Sequence, residues 1–190
     1  MQIIEIVAVV LGIACVWLTV RQHIGCWPTG LAMVSLYIVI FYRAKLYSDM
    51  LLQIVYVFLQ IYGWYAWCRN GPQQTPLQVS YLRRRTAILW VSIAAVASVL
   101  LGAAMSQTDA SFPYVDAFTT VTSLIAQWLM ARKVLESWLF WIVVDVISIG
   151  LYAAKGLYLT TGLYTIFLTL ATLGYFAWRR TVLAPATAWS

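Results

Sequence analysis

The chain is 190 residues long, 63% hydrophobic and only 9% charged, with a mean hydropathy of +0.84. A soluble globular domain carries about 25% charged residues, so that class is excluded and the main solvent of this chain is lipid. The net charge of +6 points to membrane topology rather than to nucleic acid, because Lys and Arg accumulate in cytoplasmic loops.

Hydropathy predicts seven spans, near residues 3–20, 26–42, 48–68, 86–105, 115–131, 137–154 and 159–178. In lipid, backbone groups must be satisfied internally, and these runs lack the alternation of barrel strands. All seven therefore read as helices of an all-α integral membrane protein. The first span has no basic n-region and no small-residue cleavage motif, so it reads as a retained helix rather than a signal peptide. It closes with "RQHIG", where His23 reads as a surface residue. "YRAKLYSD" separates spans 2 and 3, and "CRNGPQQTP" ends span 3 with Gly71, Pro72 and Pro76 as helix breakers. Span 4 follows the triple arginine at 83–85, which serves topology rather than a ligand. "MSQTDASFP", "ARKVLE" and "AAKGLY" then precede spans 5, 6 and 7. The tail "TVLAPATAWS" (181–190) is expected to be a short, mobile cytoplasmic end.

Seven spans put the termini on opposite sides. With the N-terminus outside, Arg21, Arg69, Arg83, Arg84, Arg85, Arg132, Lys133, Arg179 and Arg180 are cytoplasmic, and only Arg43, Lys45 and Lys155 lie outside. The bias orients the chain N-out, C-in. Cys15, Cys26 and Cys68 form neither a metal-ligand spacing nor an even disulfide framework and read as free thiols.

An internal repeat is visible at an offset of 111 residues. "WLTVR" (17–21) aligns with "WLMAR" (128–132), and without a gap Trp27 falls on Trp138, Gly63 on Gly174, Trp67 on Trp178 and Arg69 on Arg180. Thirteen identities fall across residues 17–69, where such a composition gives about four by chance. Spans 1–3 thus duplicate spans 5–7, joined by span 4. The expected divisions are 1–69, a linker 70–111 that includes span 4, and 112–180, within one membrane domain. Partners four spans apart cross in the same direction, so the repeat is parallel (3+1+3), a transporter design whose substrate site lies near the midplane between the halves.

The repeat isolates what it does not need. Asp145, alone among apolar residues in "WLFWIVVDVISIGLY" (138–152), falls on Val34; Thr119, Ser123 and Gln127 of span 5 fall on Ala8, Gly12 and Val16. One half has a polar lining that the other lacks, which suggests a ligand rather than architecture. On a helix, Trp138, Trp141, Asp145, Ser148 and Tyr152 form one stripe, with rings above and below a carboxylate. Charged residues inside spans usually mark substrate or ion pathways. A carboxylate beside indoles suits an organic cation, with cation–π attraction of about 0.5–2 kcal/mol per ring. Gln53, Tyr56, Gln60 and Trp64 give span 3 a second polar face, fit for hydroxyls or a carboxamide. Trp17, Trp27, Trp67 and Trp178, near span ends, read as interfacial anchors. Gly63 and Gly174 read as sites of close helix packing. Asp145 as a proton relay, and the glutamines as interhelical glue, are the competing readings. No metal cluster, phosphate loop or second intramembrane carboxylate is present in the sequence, so neither an enzyme nor a cofactor is expected.

"LLQIVYVFLQIYGWYAW" (51–67) and "ESWLFWIVVDVISIGLYAAKGLYLTTGLY" (136–164) resemble the PnuC family of bacterial vitamin transporters. The likeness runs over nearly all seven spans, with the pattern W-x2-W-x3-[N/D] at Trp138, Trp141 and Asp145. It implies a SWEET-like fold, residence in the bacterial inner membrane, and uptake of nicotinamide riboside by facilitated diffusion. It also implies a cytoplasmic vitamin kinase as functional partner, trapping the vitamin by phosphorylation. The resemblance places substrate contacts at Trp138, Trp141 and Asp145. The nicotinamide riboside members carry Asn where Asp145 and Gln60 stand here. Nicotinamide riboside and thiamine are both ring monocations with hydroxyls, whereas riboflavin is neutral and larger and suits a carboxylate less well. A vitamin facilitator is the favoured class, with a non-transporting assembly subunit or receptor as the alternative. Homo-oligomerisation is left open.

Overall fold

The computed structural model describes residues 2–45, 47–69, 77–107 and 112–183. The helices are α1 (Gln2–Val20), α2 (Cys26–Arg43), α3 (Tyr47–Cys68), α4 (Arg84–Met105), α5 (Pro113–Ala131), α6 (Ser137–Ala154) and α7 (Tyr158–Leu183). They follow the seven expected spans, except that α7 runs on to Leu183 and takes up the first residues of the expected tail. The loop positions 70–76 and 108–111 and the tail from 184 lie outside the described residues.

Six of the helices are long and apolar enough to cross a membrane; α5 is the exception. Its polar stripe, Thr119, Thr122, Ser123 and Gln127, lowers its mean hydropathy, and its most polar positions are sheltered by protein: Thr122, Ser123 and Gln127 are all buried. A span that faces protein does not need the hydropathy of one that faces lipid.

The chain divides into two compact units, Met1–Gln78 with Ala131–Lys133, and Val79–Met130 with Val134–Ser190. In the first, α2 packs on both α1 and α3. In the second, α6 packs on α7, and Ala94 of α4 joins Ile125 and Leu129 of α5 and Val134 in a buried cluster. Buried Ala94, Ser98 and Gly102 recur every four residues along α4, the small-residue stripe that lets helix backbones approach in a membrane. Tyr114 fills the space where Gly102 lacks a side chain. The entry to α4 is tied to the α5–α6 turn: Leu82 N donates to the Glu136 carboxylate (2.8 Å) and Leu135 N donates to Ser80 O (2.9 Å). Compactness thus groups α4, expected as a separate linker, with α5–α7.

The 111-residue offset reappears in the backbone. Helices α1 and α5, and α2 and α6, begin and end at equivalent residues, and α3 and α7 begin at equivalent residues. The turn bonds His23 N to Leu18 O, Cys26 N to His23 O and Trp27 N to Ile24 O have counterparts from Val134, Ser137 and Trp138 to Leu129, Val134 and Leu135. The left-handed residues also pair by the offset, Gln22 (φ 53°) with Lys133 (φ 52°) and Lys45 (φ 59°) with Gly156 (φ 73°). For the three non-glycine residues that conformation costs about 1–2 kcal/mol each, so its recurrence marks the helix-ending turn as part of the repeated design.

The interiors repeat as well. Trp27 meets Trp67 edge to face at 5.3 Å, and Trp138 meets Trp178 likewise at 5.4 Å. Trp27 covers the bare Cα of Gly63, and Trp138 that of Gly174. This corrects the expectation for two of the four tryptophans read as interfacial anchors. Both are buried: Trp27 fills the slot opened by Gly63 of the neighbouring helix, and Trp178 packs against Trp138, the indole that fills the slot at Gly174. Trp17 does stay exposed, with the Arg21 guanidinium 5.1 Å above its ring, as a snorkelling pair at an interface would be.

Candidate functional site

The sequence stripe on α6 separates into packing residues and polar residues. Trp138 is 1% exposed and committed to the Trp178–Gly174 interlock. The ring expected to face a ligand here packs within its own bundle. Trp141, one turn on, is half-buried. Tyr152 stacks on Tyr164 at 5.2 Å. Between them Asp145 is 3% exposed and Ser148 4%. Among the described residues, neither makes a hydrogen bond or ion pair with protein through its side chain. A buried carboxylate without a partner is expensive, and native structures keep such groups where they serve a ligand or a reaction.

On α5, Thr119 donates back to Val115 O (3.1 Å) and Asp116 O (3.0 Å), and Ser123 to Thr120 O (2.9 Å). Both hydroxyl protons are spent on their own helix, which leaves the Thr119 oxygen lone pairs as acceptors. Gln127 is buried with no hydrogen bond among the described residues. Thr122, 2% exposed and also unpartnered, belongs with this group although sequence reasoning missed it. Its spacing of three from Thr119 was the available signal.

In the first unit, α3 carries Gln53 and Tyr56 half-buried, Gln60 buried and Trp64 38% exposed. The four share a stripe, but only Gln60 reaches the interior of its unit. Its amide lies on the bare Cα of Gly30 in α2 and has no hydrogen-bond partner among the described residues.

Charges at the helix ends have structural partners. Lys155 lies 4.0 Å from the Asp116 carboxylate and 5.6 Å from the Phe112 ring centre, joining the end of α6 to the start of α5. Lys133 sits 4.4 Å over Trp67. Burial pushes the Lys133 pKa below the usual lysine range, with nearby Cys26 opposing the shift. His23, exposed as expected, accepts a bond from Gly25 N (3.1 Å) through Nδ1 and so helps shape the α1–α2 turn.

The second unit thus offers a carboxylate, a hydroxyl and an amide in an apolar interior, with an indole one turn from the carboxylate. These groups can bind a cation that bears hydroxyls. They do not form an acid–base pair or an activated nucleophile.

The family described as Nicotinamide mononucleotide transporter matches residues 2–180. The chain belongs to that family. Its relatives include the Nicotinamide riboside transporter PnuC of Escherichia coli (strain K12), 31% identical over 92% of this chain and 84% of that protein. The PnuC of Neisseria mucosa is 28% identical over 93% of this chain and 72% of its own length. The Riboflavin/roseoflavin transporter RibM of Streptomyces davaonensis is 26% identical over 92% of this chain and 83% of its own. The crystal structure of the vitamin B3 transporter PnuC superimposes with a TM-score of 0.75 at 30% identity, covering 93% of this chain and 80% of that one. Members of the nicotinamide mononucleotide transporter family are multi-pass membrane transporters rather than enzymes, and the helical fold of this chain is theirs.

Proposed function

We propose that this chain takes up nicotinamide riboside across the cytoplasmic membrane by facilitated diffusion. The observation that carries the reading is Asp145, a buried carboxylate without a partner among the described residues, on a helix whose repeat mate has valine at that position. The PnuC relatives, named for nicotinamide riboside, support the substrate. In this reading Asp145 pairs with the fixed positive charge of the pyridinium and Trp141 supplies a ring face. Ser148, Thr119, Ser123 and Gln127 then meet hydroxyls or the carboxamide. On α3, Gln60 contributes its amide, with Gln53, Tyr56 and Trp64 as further contacts. A cytoplasmic kinase traps the vitamin as its phosphate, so that the gradient continues to run inward. Spans 1–3 and 5–7 form a parallel repeat joined by α4, with the N-terminus outside.

Thiamine is the second reading, favoured by the carboxylate at 145, since a thiazolium carries the same fixed charge. Uptake of labelled vitamin into proteoliposomes tests transport, and one titration across nicotinamide riboside, thiamine and riboflavin ranks the substrates. Saturable uptake of nicotinamide riboside is expected; no uptake of any vitamin by folded protein would leave the polar residues as helix contacts and overturn the reading. Orientation is tested by cysteine labelling at position 110, which is expected to react from outside.

A further inference from the structure

We infer that Gly30 is a positioning residue, whose bare Cα fixes the Gln60 carboxamide and thereby sets which vitamin is bound. The inference rests on the reading of Gln60 as a substrate contact.

A Cβ added to Gly30 would stand 2.5 Å from Gln60 Nε2, 2.8 Å from Cδ and 2.9 Å from Oε1. All three atoms of the carboxamide head lie within 3 Å of that point, so the amide rests against the glycine rather than brushing it with one corner. Gln60 is only 6% exposed, and no hydrogen bond among the described residues holds its amide. A glutamine has three rotatable bonds, and ordering its head without a hydrogen bond needs a steric seat. Gly30 is that seat. At Gly63, Gly102 and Gly174 the corresponding space holds an aromatic ring, which is helix packing. At Gly30 it holds a polar group whose donors and acceptor have no partner among the described residues.

The repeat exchanges the residue sizes at the equivalent positions. Position 30 pairs with Trp141 and position 60 with Ala171, which is buried. In the first unit the small residue is on α2 and the large one on α3; in the second the large residue is on α6 and the small one on α7. Glycine against glutamine presents an amide; at the equivalent positions the residues are tryptophan and alanine. The sizes are exchanged as a pair, as expected if the two positions share one space in each unit.

The test uses the full chain in nanodiscs, titrated with nicotinamide riboside, thiamine and riboflavin. Because the displaced atoms are the far end of a flexible side chain, Gly30→Ala should fold and unfold at nearly the parent temperature. Its affinity for the preferred vitamin should fall about tenfold, the loss of one well-placed hydrogen bond, with the ratio among the three vitamins altered. Adding Gln60→Asn, one methylene shorter, should relieve the crowding and return the double variant to the profile of Gln60→Asn alone. If Gly30→Ala binds all three vitamins like the parent while Gln60→Ala weakens binding, Gln60 is a contact that Gly30 does not position, and the inference is overturned. If Gln60→Ala binds like the parent, the underlying reading of Gln60 fails and the inference falls with it. Should Gly30→Ala not fold, rescue of folding by Gln60→Asn supports the seat, and absence of rescue refutes it.

Discussion

Segments 2–69 and 113–180 share helix ends, left-handed turns and a Trp–Trp–Gly interlock, yet only the second buries a charge. Val34 and Asp145 stand at equivalent positions, both almost fully buried, one in an apolar interior and one without a partner among the described residues. The comparison separates what builds a three-helix unit from what uses it. Residues common to both halves hold helices together. Residues peculiar to one half, Asp145, Ser148, Gln127 and Trp141 in the second and Gln60 in the first, are free to be about the ligand.

The sharpest way to break that division is to exchange the odd pair. Val34→Asp should cost about 3–5 kcal/mol, since it leaves an uncompensated charge in a packed interior, and the protein should fail to purify as a monodisperse species. Asp145→Val should fold as well as the parent or better by about 1–3 kcal/mol, because it removes an unpartnered polar group, while losing vitamin binding. Equal damage to folding from both would make Asp145 architectural.

The shared interlock gives the next effect. Gly63→Ala and Gly174→Ala each push a methyl into a buried indole and should each lower stability by about 1–3 kcal/mol, read as matching drops in unfolding temperature. A large drop from one and none from the other would show that the two halves are not built alike. At the ligand end, Trp141→Ala should weaken binding about 5- to 150-fold, roughly 1–3 kcal/mol, and Trp141→Phe less, with folding unchanged. Parent-like titrations of both variants would make Trp141 a packing residue.

The fold was legible because lipid allows few alternatives: apolar runs of spanning length must be helices, and charged or Gly/Pro segments must be their ends. The repeat was legible because Trp27, Gly63 and Trp67 and their mates are constrained jointly, and the interlock explains why these identities persist at one offset. The tryptophans were harder. A Trp near a span end has the same sequence signature whether it meets the headgroups or a glycine slot, and only the neighbouring helix decides. Trp17 went one way, Trp27 and Trp178 the other. Gln60 shows the same limit: its stripe with Gln53, Tyr56 and Trp64 was visible, but its seat on Gly30 depends on how α2 meets α3. Asp145 was the easiest to find, because a lone carboxylate in a span contradicts its surroundings.

The smallest effect concerns Lys133, whose mate is Gln22. Lys133→Gln loses the contact with Trp67 but also the burial of a charge, so the net change should stay within about 1 kcal/mol. Its pH signature is more telling. Burial lowers the Lys133 pKa in the folded protein, so between that lowered value and the ordinary 10.5 the unfolded chain binds more protons. Stability from this group therefore rises with pH across that window, and Lys133→Gln should flatten the rise in unfolding temperature. An unchanged slope would show that the ammonium is not held in a desolvated position.

The central claim, that Asp145 pairs with the positive charge of the substrate, is tested most directly by titrating nicotinamide riboside into the parent and into Asp145→Asn across pH. The substitution keeps size and a hydrogen-bonding amide and removes only the charge. The account predicts that parent affinity falls as pH drops through the carboxyl's own pKa. The variant should bind the cation more weakly than the fully ionised parent, or prefer a different vitamin, with a flat pH response. Parent-like affinity, selectivity and pH response in folded Asp145→Asn would contradict it.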